Sequence, residues 1–298
     1  MSVEKIPLAY YFSWGKVSDD MLPYILQEFK DNGAENMVFG HEWLTRILHD
    51  PLFFSHLRKH AYDIGLNVIA PHAPWGQPFD LCCIDRARRP KLIEDHKTAM
   101  AYAAEMGAKT YTMHVGAFES VFYKTPNSEL LKLSLDSLEK LLPRAEELGI
   151  VIAVENSYER SNTAEEAVYY ASYFDSPWIG CCFDCGHANM MEPAGKIREK
   201  YFSEMDDAWG EDIEYCENSL DKMLPYIVTC HLHDNSGYGD DHALPGTGTI
   251  DWKPLIAKIK TAPRLISMQT EVRTIPGGPS VKKLITVFGR LLAGLDPQ

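Results

Sequence analysis

The sequence predicts an α/β fold, a (β/α)8 TIM barrel in a single domain over residues 1–298. Eight short apolar runs, rich in β-branched or aromatic residues, alternate with amphipathic helical stretches, the pattern of parallel strands joined by crossovers. The 298-residue length holds eight such units of roughly 30–40 residues each. No linker, repeat or low-complexity tract divides the chain. An open doubly wound sheet is the alternative. Such a sheet usually carries a glycine-rich phosphate turn after its first strand, and here that turn reads SWGKVSD, with one glycine.

The strands are expected at 6–12, 36–42, 67–73, 109–115, 150–156, 179–185, 228–234 and 265–272. Between them, MLPYILQEFKDNG ends in an Asn-Gly stop. LIEDHKTAMAYAAEMG and LLKLSLDSLEKLLPRAEELG repeat apolar residues at helical spacing and finish at Gly107 and Gly149. Long loops after strands fall at 73–90, 116–127, 187–210 and 235–250. In a barrel these loops gather at the C-terminal face, where sites are built. The loop 187–210 is expected to cover the site. NSGYGDDH (235–242) reads as a mobile turn, and Asp251 as the start of the helix that follows.

The net charge of −13 repels phosphate backbones and anionic lipid, so nucleic acid and membrane are not the expected partners. Seven cysteines without a spaced framework fit reduced thiols. The N-terminus has no signal pattern, and no run approaches a membrane span. The expectation is a soluble, cytoplasmic protein.

Metal-binding residue types recur at the strand ends. His72 ends strand three, His114 strand four, Glu155 strand five and Asp184 strand six, with His187 three residues on. His231 and His233 lie in strand seven, Asp240 and His242 in its loop, and Glu271 ends strand eight. A barrel brings those ends into one ring. Glu155 and Asp184 each follow an apolar strand, and a buried carboxylate must be paired or metal-bound. By strand alternation His231 and His233 share one face and Cys230, Leu232 and Asp234 the other, so either histidine qualifies as the ligand. The CxxC pair Cys182 and Cys185 points to opposite faces on a strand, with Cys182 beside Asp184 in the interior. It is therefore not read as a metal site. Arg86, Arg88, Arg89 and Lys91 read as a solvated helix start. Lys196, Arg198 and Lys200 read as a solvated helix face, with phosphate contact as the alternative.

VENSYER, FDCGHAN, HLHDN followed by DxH and GTGTIDW, and the final QTEV together resemble the xylose isomerase-like barrel superfamily. That superfamily includes sugar and sugar-phosphate isomerases and epimerases, and abasic-site nucleases of the endonuclease IV type. In the epimerase branch the resemblance implies one divalent metal (Mn, Mg, Co or Zn) on Glu155, Asp184, His231 and Glu271. Glu155 and Glu271 also move the proton, and His187 contacts the sugar. In the nuclease branch it implies up to three zinc ions, with His72, His114, His187, Asp240 and His242 as further ligands. The chain departs from the nuclease pattern at Trp75, where a tyrosine is usual, and at Gly76, where an apolar wedge would help open a duplex.

The favoured expectation is a metal-dependent sugar or sugar-phosphate isomerase or epimerase. It would work by proton transfer through a metal-stabilised enediolate. A multinuclear zinc phosphoesterase is the alternative. Glu155, Glu271 and His187 are the expected catalytic residues, and Trp75, His187 and His233 the expected substrate contacts. Trp14, Phe79, Tyr10 and Phe118 are further stacking candidates. A small-molecule sugar is the expected partner, with a homo-oligomer left open.

Overall fold

The computed structural model describes residues 6–116, 125–192, 205, 208–209 and 213–297. Eight parallel strands form one sheet: β1 Leu8–Tyr10, β2 Asn36–Phe39, β3 Asn67–Pro71, β4 Thr110–Met113, β5 Val151–Glu155, β6 Ile179–Asp184, β7 Ile227–Leu232 and β8 Met268–Thr270. Their order, β3-β2-β1-β8-β7-β6-β5-β4, leaves β3 and β4 at the two ends. A parallel bridge between His72 and Thr112 joins those ends, with the Ala73 amide 2.8 Å from the Thr112 carbonyl. The result is a nearly closed TIM barrel in a single domain, as the alternation predicts.

The described helices are α1 Leu22–Asp31, α2 His41–Ile47, α3 Pro51–Asp63, α4 Arg89–Glu105, α5 Asn127–Leu148, α6 Ala164–Phe174, α7 Cys185–Met191, α8 Ser219–Met223, α9 Trp252–Ile259 and α10 Val281–Leu292. Helix α5 ends where Gly149 takes a left-handed conformation (φ 65°), as its sequence predicts. Asp251 occupies the N-cap of α9. The strands are shorter than their apolar runs because chain that has left the ladder still buries its side chains. His233 and Glu271 both lie just past their strands.

Outward-facing residues such as Tyr10, Phe39, Tyr111, Ile152, Val154, Phe183 and Leu232 pack against the helices in the main core. Inside the barrel, small residues form separate plugs: Val151, Ala153, Cys182 and Val228 on one side, Ala9, Val38 and Ala70 on the other. A polar layer also lies inside. There Gln269 donates to Thr112 and Thr229, and Thr229 pairs with Ser267. Cys185 sits in the helix-side core, so the CxxC pair is split between faces as alternation requires.

Two bulges set which side chains reach the centre. The β2–β3 register runs Val38↔Ile69 and then Phe39↔Pro71, which leaves Ala70 as an extra residue, at φ 52°. The β6–β7 register runs Cys181↔Ile227 and then Cys182↔Thr229, which leaves Val228 extra. Val68 and Ile227 both face the helices. Strict alternation from either would turn His72 and His231 outward as well, and one extra residue in each strand turns them inward.

Three loop expectations change. Arg89 is not solvated: it is 8% exposed and donates to the carbonyls of Leu81, Cys83 and Leu133, to Asp136 and to Ser137, tying the loop after β3 to α5. The turn after β7 is not loose. Ser236 donates through its amide and hydroxyl to Asp241, and the Gly237 amide donates to Asn235. Asp234 forms an antiparallel bridge with Ala243, and its carboxylate accepts from Asn235, Gly246, Ile250 and the Trp252 indole. The stretch 187–210 opens as helix α7 rather than as loop. Its later part, with Lys196, Arg198 and Lys200, lies outside the described residues, as does Phe118.

Asp234→Ala would strand those buried donors together. We expect it to lower unfolding free energy by about 3 kcal/mol in urea titration. An unchanged midpoint would show that the carboxylate does not hold the loop.

Candidate metal centre

The strand ends converge on Glu155, at the C-terminus of β5 and fully buried. One of its oxygens lies 2.9 Å from His231 Nδ1. The other lies 3.3 Å from His72 Nε2 and 3.4 Å from His114 Nε2. His231 Nδ1 is also 3.1 Å from Glu271 and 3.7 Å from Asp184. Asp184 closes β6 and caps α7, accepting the His187 amide at 2.7 Å. That cap turns the chain into the helix and brings the His187 ring back to 3.5 Å from Asp184. His242 Nε2 lies 3.0 Å from Asp240, and His187 Nε2 lies 3.6 Å from the same oxygen.

Among the described residues four groups of ligand-type atoms result, each within 4.8 Å: Glu155, Asp184, His231 and Glu271; His72, His114 and Glu155; Glu155, Cys182 and His231; and, apart from these, His187, His233, Asp240 and His242. The nine ligand positions that the resemblance implies all fall within them, and so does His233. His233 is displaced from its expected role. It is fully buried, does not line the cavity, and points Nε2 at both Asp184 oxygens at 3.1 Å. It holds Asp184 rather than facing a substrate.

Three histidines have one nitrogen assigned by the backbone. His72, His187 and His242 each direct Nδ1 at a carbonyl: Ala73 at 2.8 Å, Asn156 at 3.0 Å and Glu271 at 2.7 Å. A carbonyl only accepts, so Nδ1 keeps its proton and Nε2 is the atom that gains or loses one. Ligating histidines are commonly oriented in this way. Four buried atoms in the cluster, Glu155 Oε2, Glu271 Oε2, Asp240 Oδ1 and His233 Nδ1, have no hydrogen-bond partner. Buried oxygens left open beside imidazoles form a donor set suited to a divalent cation.

Burial opposes every charge here, and pairing outweighs it for most. His231 and His114 hold Glu155 well below the usual carboxylate range, and His231 lowers Glu271. His242 and His187 lower Asp240. In return, Asp184 and Asp240 raise His187, Glu155 raises His72, and Asp240 pushes His242 up to about 9. His114 stays lowered by burial, and His41 is lowered to about 3 by burial and by His72 nearby.

A cavity of about 470 Å³ opens onto this cluster, lined by Glu155, Glu271, His187, Asp240 and Trp75 among others. Trp75 stands 55% exposed at the mouth. The other stacking candidates in the described region are core residues. Tyr10 packs on Phe29 and Phe288, Trp14 on Trp43, and Phe79 on His96. The sequence reading gave no role to Tyr11, Lys16, His41, Glu42, Glu159 and Arg273, which also line the cavity. A signal existed for two of them: His41 and Glu42 lie one residue past β2, where they open α2.

An eight-stranded barrel with imidazoles and carboxylates at its C-terminal rim defines a class. The family model for the xylose isomerase-like TIM barrel matches residues 27–288, and the chain belongs to that family. An uncharacterized protein of Sinorhizobium fredii is 28% identical over 176 residues, covering 58% of this chain and 50% of that protein. The L-ribulose-5-phosphate 3-epimerase UlaE of Escherichia coli O1:K1 is 23% identical over 218 residues, covering 72% of this chain and 68% of that enzyme. This chain thus spans about half to two thirds of the length of these curated relatives. A crystal structure of a D-tagatose 3-epimerase-like protein superposes with a TM-score of 0.71 at 18% identity, covering 97% of both chains, and shares the fold.

In metal-stripped protein the raised value of His242, about 9 against an ordinary 6.5, gives a signed expectation. The stability from its pairing with Asp240 is fully present below about pH 6.5 and is lost as pH rises through about 9. Urea titrations at pH 6 and 9.5 should show a loss on the order of 2 kcal/mol, reduced in His242→Gln. A loss of equal size in the variant would dissociate it from His242.

Proposed function

We propose that the protein is a divalent-metal-dependent isomerase or epimerase of a small ketose or ketose phosphate. The arrangement of Glu155 and Glu271 carries the reading. The two carboxylates come from strands three apart in the ring, meet at His231 Nδ1 at 2.9 and 3.1 Å, and both face the cavity. Each keeps one oxygen without a hydrogen bond. The UlaE relative, an L-ribulose-5-phosphate 3-epimerase by name, supports the same class, and the superposed barrel is named for its likeness to a D-tagatose 3-epimerase.

Glu155, Asp184, His231 and Glu271 would hold the cation. When bound, it supplies Lewis-acid polarisation of the substrate carbonyl. The chain's own residues do the rest. One glutamate takes the proton from the carbon beside the carbonyl, and the other returns one from the opposite face. The imidazoles around them favour the ionised form that the base needs. The glutamate that returns a proton would carry it into the step and leave it ionised, so the two exchange protonation states in each turnover. His187, fixed through Nδ1 on the Asn156 carbonyl, presents Nε2 toward the cavity as a donor to a substrate oxygen. Trp75 offers an apolar face at the mouth.

A second reading has its own observation. The ligand groups, those sharing Glu155 and the separate one of His187, His233, Asp240 and His242, exceed what one ion needs and favour a multinuclear zinc phosphoesterase. Elemental analysis discriminates: about one exchangeable ion per chain supports the isomerase, and about three zinc ions support the phosphoesterase. For the chemistry itself, ketoses and their phosphates are incubated in heavy water with Mn, Mg, Co or Zn and checked for carbon-bound deuterium. Glu155→Gln and Glu271→Gln should each slow exchange by about 10²–10⁴-fold with the fold retained. Wild-type exchange in either variant would remove that glutamate from the mechanism. Cleavage of an abasic duplex with no exchange of any sugar would replace the isomerase reading with the second.

A further inference from the structure

The cavity interior carries six carboxylates, Glu155 and Glu271 among them, interleaved with five histidines. At its rim stand Lys16 and Arg273, the two Lys or Arg side chains among its described lining residues. Neither side chain has an ion pair or hydrogen bond among the described residues, whereas Arg46, Arg58, Lys59 and Lys91 all reach a carboxylate. Both are exposed, and two cations free of carboxylate partners among the described residues at the mouth of one cavity suit a ligand of opposite sign.

Both line the same cavity, on loops that are bonded to each other. The Ser13 amide donates to the Thr274 hydroxyl at 3.0 Å, and the Thr274 amide donates back to the Ser13 hydroxyl at 3.2 Å, both buried. These bonds lock the loop after β1 to the loop after β8. Lys16 follows on the turn that Ser13 opens, its amide bonded to the Ser13 carbonyl at 3.1 Å, and Trp14 anchors that turn against Trp43. Arg273 directly precedes Thr274, and its own amide bonds the His242 carbonyl at 2.8 Å. It lies two residues beyond Glu271, at most about 7 Å along the chain. That is within the reach of a pentose or hexose from its reacting carbon to its far end.

We propose that Lys16 and Arg273 seat a phosphoryl group at the far end of the substrate, so that the substrate is a ketose phosphate rather than a free ketose. The inference rests on the isomerase reading. A dianion matches two separate cations, where a carboxylate would leave one unmatched. The guanidinium fork takes two of its oxygens and the ammonium a third. The pair also offsets the long-range repulsion that a chain of net charge −13 exerts on any anion.

The test uses the metal-loaded enzyme and three classes of probe: ketopentoses, their 5-phosphates, and ketoses ending in a carboxylate. Deuterium exchange should favour a phosphate ester over its free sugar by about 10²-fold in kcat/KM. Lys16→Met and Arg273→Met should each raise KM for the ester about 10-fold or more with little change in kcat, so that the preference collapses. Inorganic phosphate, followed by calorimetry, should bind the wild type and bind at least several-fold more weakly to each variant. Equal use of free and phosphorylated sugars, equal gain from a terminal carboxylate, or variants that lower kcat for both sugars alike would overturn the proposal. If no sugar of any class exchanges, the isomerase reading fails. Phosphate binding unaffected by both variants would separately overturn the seat.

Discussion

The architecture of the rim depends on one buried carboxylate. Glu155 is fully shielded from solvent, and a lone ionised group there would cost several kcal/mol even after relaxation. It stays charged because imidazoles from three other strands reach it, His72 and His114 on one oxygen and His231 on the other. The same pairing fixes the neighbours. His231 cannot serve Glu155 without also meeting Glu271 and Asp184, and Asp184 is held from behind by His233. The barrel supplies the geometry for this: a plug of small side chains on each side, a hydroxyl and amide layer, and the strand ends that carry the charges.

Much of this was legible in the sequence. Alternation of apolar runs and helical patterns gives a barrel, and a barrel gives a rim, so residues as distant as His72 and Glu271 become neighbours. Local alternation also sorts Cys182 from Cys185 correctly. What stayed hidden has physical causes. Arg89 looks like a surface cation, but most of the groups that bind it, the Leu133 carbonyl, Asp136 and Ser137, belong to α5, more than forty residues away. Among the cavity-lining residues, Arg273 gains its place from the Ser13–Thr274 bonds, a contact across 261 residues that no local pattern encodes. His233 carries the same letter as His231 and sits on the same face, and only the depth of each in the barrel separates a central group from a support.

The family's fold is general and its reactions diverge, so the fold alone names no reaction. The chemistry lies in which rim atoms are left open and in what surrounds them. Here the open atoms belong to two glutamates, an aspartate and a histidine, and the three carboxylates line a cavity whose rim carries Lys16 and Arg273. Carboxylates and imidazoles pair with one another within, while Lys16 and Arg273 at the rim have no ion-pair partner among the described residues. A ligand with one polar reacting end and one anionic end is therefore oriented before any chemistry begins.

The extra residues Ala70 and Val228 have a wider consequence. Neither carries a functional group, yet each sets the phase of the residues that follow it. Removing either one would leave every ligand letter in the chain and rotate His72 or His231 out of the barrel and into the helix layer. Two chains with identical rim motifs can therefore differ in whether the rim exists at all. An alanine and a valine then hold as much of the site's information as the histidines they aim.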